Sequence, residues 1–161
     1  AEESIRRLAR RGDLLVGAGT VLTKEQADRA IDAGAAFLVS PGTNPKVVDH
    51  SLLRSVPIVP GIATPTDIDL AMSFGLDAVK FFPAENLGGT STLKAFAGPY
   101  QDMMFLPTGG ITPEKLPEYL KLSFVLACGG SWLAPREALA KGDFATIRKR
   151  IEEAAKLLAS I

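Results

Sequence analysis

Six short apolar runs, each closed by glycine or proline, recur along this chain and set the main constraint on its fold. They are Leu14 to Thr20 (LLVGAGT), Ala36 to Gly42 (AFLVSPG), Val56 to Ile62 (VPIVPGI), Ala78 to Ala84 (AVKFFPA), Met104 to Gly110 (MFLPTGG) and Val125 to Ser131 (VLACGGS). Continuous Val, Ile, Leu and Phe without period-2 alternation reads as strands buried on both faces. With Leu15, Phe37, Ile58, Val79, Phe105 and Leu126 as markers, the spacings are 22, 21, 21, 26 and 21 residues, which defines a repeating unit.

Helix signals fill the gaps. Thr23 with Gln26 reads as a capping box, and Gly34 stands where a C′ glycine belongs. Asn44-Pro45, Thr64-Pro65 and Thr112-Pro113 each place an N-cap residue before a proline at the first helical position. Ile68, Ala71 and Met72 give the segment after Thr64-Pro65 an apolar face, which Gly75 ends. The last helix is predicted to start near Asp143 and run to the end, with Ile147, Ile151, Ala154, Ala155 and Leu158 on one stripe. Pro117 should bend or shorten the helix beginning near Thr112.

Strict strand–helix alternation implies a parallel sheet, either open and doubly wound or closed into a barrel. GAGTVL lacks the third glycine of a dinucleotide loop, and no Walker A sequence occurs. Gly109-Gly110 and Gly129-Gly130 follow the last two runs, where (β/α)₈ barrels commonly hold a phosphate. The expected fold is therefore α/β, a (β/α)₈ TIM barrel. Six of its eight units would be visible, as strands three to eight of one partial barrel domain over residues 1–161. Glu2 to Arg11 would end the helix before the third strand.

Charge narrows the function. Eighteen Lys plus Arg balance eighteen Asp plus Glu, so no basic face is available for nucleic-acid phosphates. One cysteine, Cys128, and one histidine, His50, cannot build a Cys/His zinc site or an internal disulfide. No apolar run approaches the roughly 20 residues that cross a bilayer. These features point to a cytoplasmic protein that binds neither nucleic acid nor membrane.

Lys80 is the most informative residue, because it interrupts a run otherwise suited to full burial. An ordinary lysine is neutral only about once in a few thousand molecules at pH 7. Desolvation disfavours the ammonium, and the resulting free amine can attack a ketone to form a Schiff base, the electron sink that carbon–carbon cleavage needs. A strand-end lysine that snorkels to solvent or pairs with a carboxylate is the competing reading. Gly109, Gly110, Gly130 and Ser131 suit an anion, since glycine lets backbone N–H groups approach it, although either pair alone could be plain turn glycine. Thr20, Ser40 and Thr108 end their runs with hydroxyls that can reach substrate or cap the next turn. Phe81, Phe82, Trp132 and Cys128 read as packing residues, and His50 as a solvated side chain.

The segments VGAGTVL (16–22), VSPGTNP (39–45), IVPGIATPTD (58–67), VKFFPAE (79–85), FLPTGGITP (105–113) and CGGSWLAP (128–135) resemble the KDPG/KHG aldolase family over essentially the whole chain. That family comprises class I aldolases of 2-keto-3-deoxy-6-phosphogluconate and 4-hydroxy-2-oxoglutarate. The resemblance implies a homotrimeric barrel with no metal or organic cofactor and a phosphorylated keto acid as substrate. It implies that Lys80 forms the imine and that Thr20 helps hold the pyruvate carboxylate. Pro41 and Phe82 would pack around the imine, and Thr108 would lie near the substrate hydroxyl. Gly109, Gly110, Gly130 and Ser131 would cradle the phosphate. The family's proton-shuttling Glu and a carboxylate-binding Arg lie on a second strand with no counterpart in these residues, so turnover by this chain alone is expected to be severely impaired. Two other readings remain open at this point: an inactive piece of a split or engineered barrel, and a sugar-phosphate-binding barrel that does not use Lys80.

Overall fold

A computed structural model describes residues 1–159. Two compact units divide the chain, Ala1–Phe82 and Pro83–Ile161. The first contains α1 (Glu2–Ala9), β1 (Gly17–Ala18), α2 (Lys24–Asp32), β2 (Phe37–Val39), α3 (Pro45–Leu53), β3 (Ile58–Val59), β4 (Gly61–Ile62), α4 (Pro65–Ser73) and β5 (Ala78–Phe81). The second contains α5 (Gly89–Ala97), β6 (Met104–Phe105), α6 (Leu116–Leu120), α7 (Arg136–Lys141) and α8 (Phe144–Leu158), with 3₁₀ turns at Glu85–Leu87 and Ser131–Leu133.

The helix starts in the first unit are local chemistry. Thr23 accepts from the Gln26 N–H at 3.2 Å, while the Gln26 amide oxygen caps Leu22 N–H at 2.7 Å rather than that of Thr23. Asn44 accepts from Lys46 N–H. Thr64 and Asp67 form a complete capping box. Three helices end in the same hydrogen-bonded reversal. The N–H groups of Gly34, Ser55 and Gly75 reach Ile31, Leu52 and Met72, and those of Ala35, Val56 and Leu76 reach Ala30, Ser51 and Ala71. The residue at the turn is left-handed each time, with φ of 101° at Gly34, 55° at Ser55 and 75° at Gly75. Serine is the costly occupant, because its Cβ crowds the carbonyl in that region. Ser55→Gly is therefore expected to stabilise the chain by roughly 1 kcal/mol, read as a higher urea midpoint. An unchanged or lowered midpoint contradicts this account.

In the first unit β1, β2 and β3 pair in parallel in that order, with Ala18 beside Leu38 and Leu38 beside Ile58. Leu38, Val47, Val48 and Ile58 are almost fully buried there, each worth about 1.5–3 kcal/mol relative to exposure. β4 pairs in parallel with β5, placing Gly61 beside Lys80 and Ile62 beside Phe81. In the second unit Leu93, Phe105, Ile111 and Tyr119 are buried, and Phe105 meets Phe124 edge to face with centroids 6.1 Å apart.

Strand–helix alternation and parallel pairing are present, but the expected (β/α)₈ TIM barrel with strands three to eight is not what the structure shows. The described strands are two short parallel sheets of three. The six runs do not map one to one onto them. Proline has no N–H to donate to a ladder. Pro60 accordingly divides the third run, so that β3 pairs with β2 and β4 pairs with β5. The sixth run forms no strand, only isolated parallel bridges from Val125 to Phe105 and from Gly129 to Thr108. Val125 spends its N–H on a local turn to Leu122 at 2.9 Å, and Pro107 supplies no donor between the two bridges. A repeat in sequence counts units and does not fix how their strands group.

Two helices also differ from expectation. No helix begins at Thr112; α6 starts at Leu116, which puts Pro117 in its first turn, where the missing N–H is harmless. Asp143 does cap α8, accepting from Thr146 N–H at 3.0 Å. The less exposed side of α8 carries Ile147, Arg150, Ala154 and Leu157, whereas Ile151 and Leu158 are exposed.

Candidate functional site

In the first unit, four of the expected site residues lie at or just beyond the carboxyl ends of β1, β2 and β5. Hydrogen bonds run across this rim from Val21 N–H to Val39 O, from Ser40 N–H to Val59 O and from Lys80 N–H to Pro60 O, at 3.1, 3.3 and 2.8 Å. Thr20 and Pro41 lie two residues beyond β1 and β2 respectively, Lys80 lies within β5, and Phe82 follows it. Gly61 ties Pro41 to Lys80. It pairs with Lys80 in register on one side, and on the other a Cβ at Gly61 would overlap the Pro41 carbonyl. Its own carbonyl accepts from Thr43 Oγ1 at 2.9 Å.

Lys80 is partly buried, and desolvation holds its ammonium below the ordinary lysine range. Its Nζ lies 4.6 Å from the centre of the Phe82 ring. Phe82 thus packs against the amine. The sign of the effect of pH follows. A lowered pKa populates the free amine at lower pH than in a solvent-exposed lysine, so imine formation with pyruvate should climb with pH and level off below the ordinary value of 10.5. Borohydride trapping across pH measures this; a rate still climbing through that value contradicts it.

Thr20 holds φ at 61°, an unusual conformation for a β-branched residue and one that costs on the order of 1–3 kcal/mol. The turn aims an exposed threonine off the strand end, beside a cavity of about 200 Å³ lined by Ala18, Gly19, Gln26 and Arg29. Ser40, by contrast, is buried and donates to Gly42 O at 2.8 Å, so its hydroxyl shapes the loop instead of facing a ligand.

In the second unit, the bridge between Thr108 and Gly129 sets two turns side by side, Gly109–Gly110 and Gly130–Ser131. Gly109 and Gly110 need left-handed backbone, with φ of 103° and 78°. Gly129 and Gly130 do not, and their small size has a different cause: a Cβ at Gly129 would lie 2.5 Å from Thr108 Oγ1, and one at Gly130 would strike the Trp132 indole. Trp132 covers this turn, and its carbonyl accepts from Arg150 Nη1 at 2.7 Å. The N–H groups of Gly110, Gly130 and Ser131 donate to no backbone carbonyl among the described residues. Only a three-residue 3₁₀ turn starts at Ser131, so the donors outweigh any helix dipole here.

Three further groups, His50, Cys128 and Glu85, have defined surroundings. His50 is not simply solvated: its Nε2 lies 3.0 Å from Asp28, which Arg54 also contacts, linking α3 to α2. Cys128 is partly buried, and that burial pushes its thiol up to about 11. Glu85 is engaged by Lys115 and by the Tyr119 hydroxyl at 2.5 Å, and the first of these does most to hold its carboxyl below the usual range. Sequence reading gave Glu85 no partner, since these contacts span 30 and 34 residues. Among the described residues there is no cluster of three metal-ligating side chains and no helix long and apolar enough to cross a membrane.

Known proteins resemble this chain over most of its length. The description of the KDPG and KHG aldolase family matches residues 1–150. The 2-dehydro-3-deoxy-phosphogluconate aldolase of Treponema pallidum is 56% identical over 135 residues, covering 84% of this chain and 64% of that protein. The KHG/KDPG aldolase of Escherichia coli K12 is 43% identical, covering 96% of this chain and 73% of that one. A crystal structure of the Legionella pneumophila KDPG aldolase, with pyruvate captured as a covalent carbinolamine, superimposes with a TM-score of 0.87 at 35% identity, covering 92% of this chain and 73% of that one. The chain belongs to the KDPG and KHG aldolase family. It spans about two thirds of the length of the Treponema relative.

Proposed function

We propose that this chain carries the Schiff-base site of a class I aldolase, a carbon–carbon lyase. It would cleave 2-keto-3-deoxy-6-phosphogluconate to pyruvate and glyceraldehyde 3-phosphate, or 4-hydroxy-2-oxoglutarate to pyruvate and glyoxylate. The carrying observation is the half-buried Lys80 amine beside Phe82, at a strand end whose neighbours are fixed by Gly61. Similarity to aldolases, one of them holding a pyruvate carbinolamine, supports the reading.

The free Lys80 amine adds to the keto carbon, and loss of water gives a protonated imine. That imine draws in the electron pair of the bond to be broken, the hydroxyl carbon gives up its O–H proton to water and leaves as an aldehyde, and the remaining enamine takes up a proton from water before hydrolysis releases pyruvate and the amine. Thr20 binds the pyruvate carboxylate end, Pro41 and Phe82 shield the imine, and Thr108 serves the substrate hydroxyl. The N–H groups around Gly109, Gly110, Gly130 and Ser131 hold the phosphate. Glu85 is given no part in proton transfer, because Lys115 and Tyr119 already engage its carboxylate. A homotrimer in the cytoplasm is the accompanying proposal, resting on family membership and on the lone cysteine; sedimentation tests the trimer.

Pyruvate release from each of the two keto acids tests the activity. Release by this chain and not by Lys80→Met is the expected result. Equal release by both proteins overturns the proposal, as does the absence of any borohydride-trapped pyruvate adduct on Lys80 of the unsubstituted chain.

A further inference from the structure

The chain places a carboxylate directly behind the turn read above as a phosphate cradle. Glu85 N–H donates to Gly109 O at 3.1 Å, after Ala84 N–H has donated to Thr108 O at 2.9 Å. A Cβ on Gly110 would lie 2.8 Å from the Glu85 Cβ. Glu85 is thus fixed to both glycines of the turn, by its backbone to one and by its side-chain stem to the other. A bare carboxylate in that position would repel a phosphate group. It is not bare: Lys115 pairs with one oxygen, and the buried Tyr119 donates to the other at 2.5 Å. Tyr119 is 1% exposed, so its hydroxyl is an anchor that cannot be exchanged freely for water. Gly89 leaves room for this contact, since a Cβ there would lie 3.1 Å from the Tyr119 oxygen.

We propose that Tyr119, Glu85 and Lys115 form a positioning unit that fixes the Gly109–Gly110 turn for a phosphate group and neutralises the carboxylate behind it. The unit thereby makes the site selective for phosphorylated over unphosphorylated keto acids. It rests on the phosphate reading of this turn. Tyr119 and Lys115 act through Glu85 and touch no reacting atom.

Two readouts on the same chain test it: binding of inorganic phosphate, followed by the amide resonances of Gly110, Gly130 and Ser131, and borohydride trapping of pyruvate on Lys80. Tyr119→Phe leaves formal charge unchanged and removes only the anchoring O–H. It should weaken phosphate binding roughly tenfold, the scale of one hydrogen bond to a charged group, while pyruvate trapping stays within about twofold. Lys115→Met alters an exposed side chain and should weaken phosphate binding in the same sense. Unchanged phosphate binding in both variants overturns the inference, as does an equal loss of phosphate binding and pyruvate trapping, which marks a merely structural role. If the unsubstituted chain traps pyruvate but binds no phosphate, the inference fails while the Lys80 reading stands; phosphate binding without trapping removes the Lys80 reading and leaves the positioning unit in force.

Discussion

Lys80→Arg is expected to abolish covalent trapping of pyruvate and to lower any keto-acid cleavage on the order of 10³-fold or more, while leaving the unfolding midpoint close to that of the unsubstituted chain. Arginine keeps the positive charge and much of the stem, yet its guanidinium does not lose a proton near neutral pH and cannot supply the free amine. The substitution therefore separates the nucleophile from the cation. If Lys80 served only as a strand-end charge over the Phe82 ring, arginine would replace it with little loss. Trapping by the variant at the original rate would refute the Schiff-base role.

The second large effect lies at Gly61, where no chemistry occurs. Alanine there drives its Cβ into the Pro41 carbonyl, with the Gly42 nitrogen 2.7 Å away. These are backbone atoms held by the pairing of β2 with β3, so they cannot rotate aside as a side chain would. The expected cost is about 3 kcal/mol, a large share of the ~5–15 kcal/mol that stabilises a typical domain. Gly19 is the control, since a Cβ there meets nothing within 4 Å. Urea unfolding should show a large drop in midpoint for Gly61→Ala and almost none for Gly19→Ala. Equal midpoints would mean that the Pro41 loop yields easily and does not brace the Lys80 strand.

What was legible in the sequence was local. Thr23, Asn44, Thr64 and Asp143 cap helices because each meets a backbone N–H two or three residues ahead. Gly34 and Gly75 end helices because their neighbours leave only left-handed backbone available. Lys80 stood out because a charge in a buried run demands a reason, and its partial burial beside Phe82 answers that demand. What was not legible depends on contacts between distant residues. The run through Pro60 looks like one strand until its two halves find different partners. The run through Val125 has strand composition, but Val125 spends its N–H on a local turn. The grouping of strands into two sheets of three, against the expected eight-unit barrel, is likewise set by pairing and not by period. The Tyr119–Glu85 contact leaves no mark on either segment read alone.

The most direct test of the central claim is peptide mapping by mass spectrometry after the chain is incubated with pyruvate and borohydride. The account predicts a single reduced pyruvate adduct on the peptide containing Lys80, absent from the Lys80→Arg protein. Adducts scattered over exposed lysines with Lys80 unmodified would contradict it.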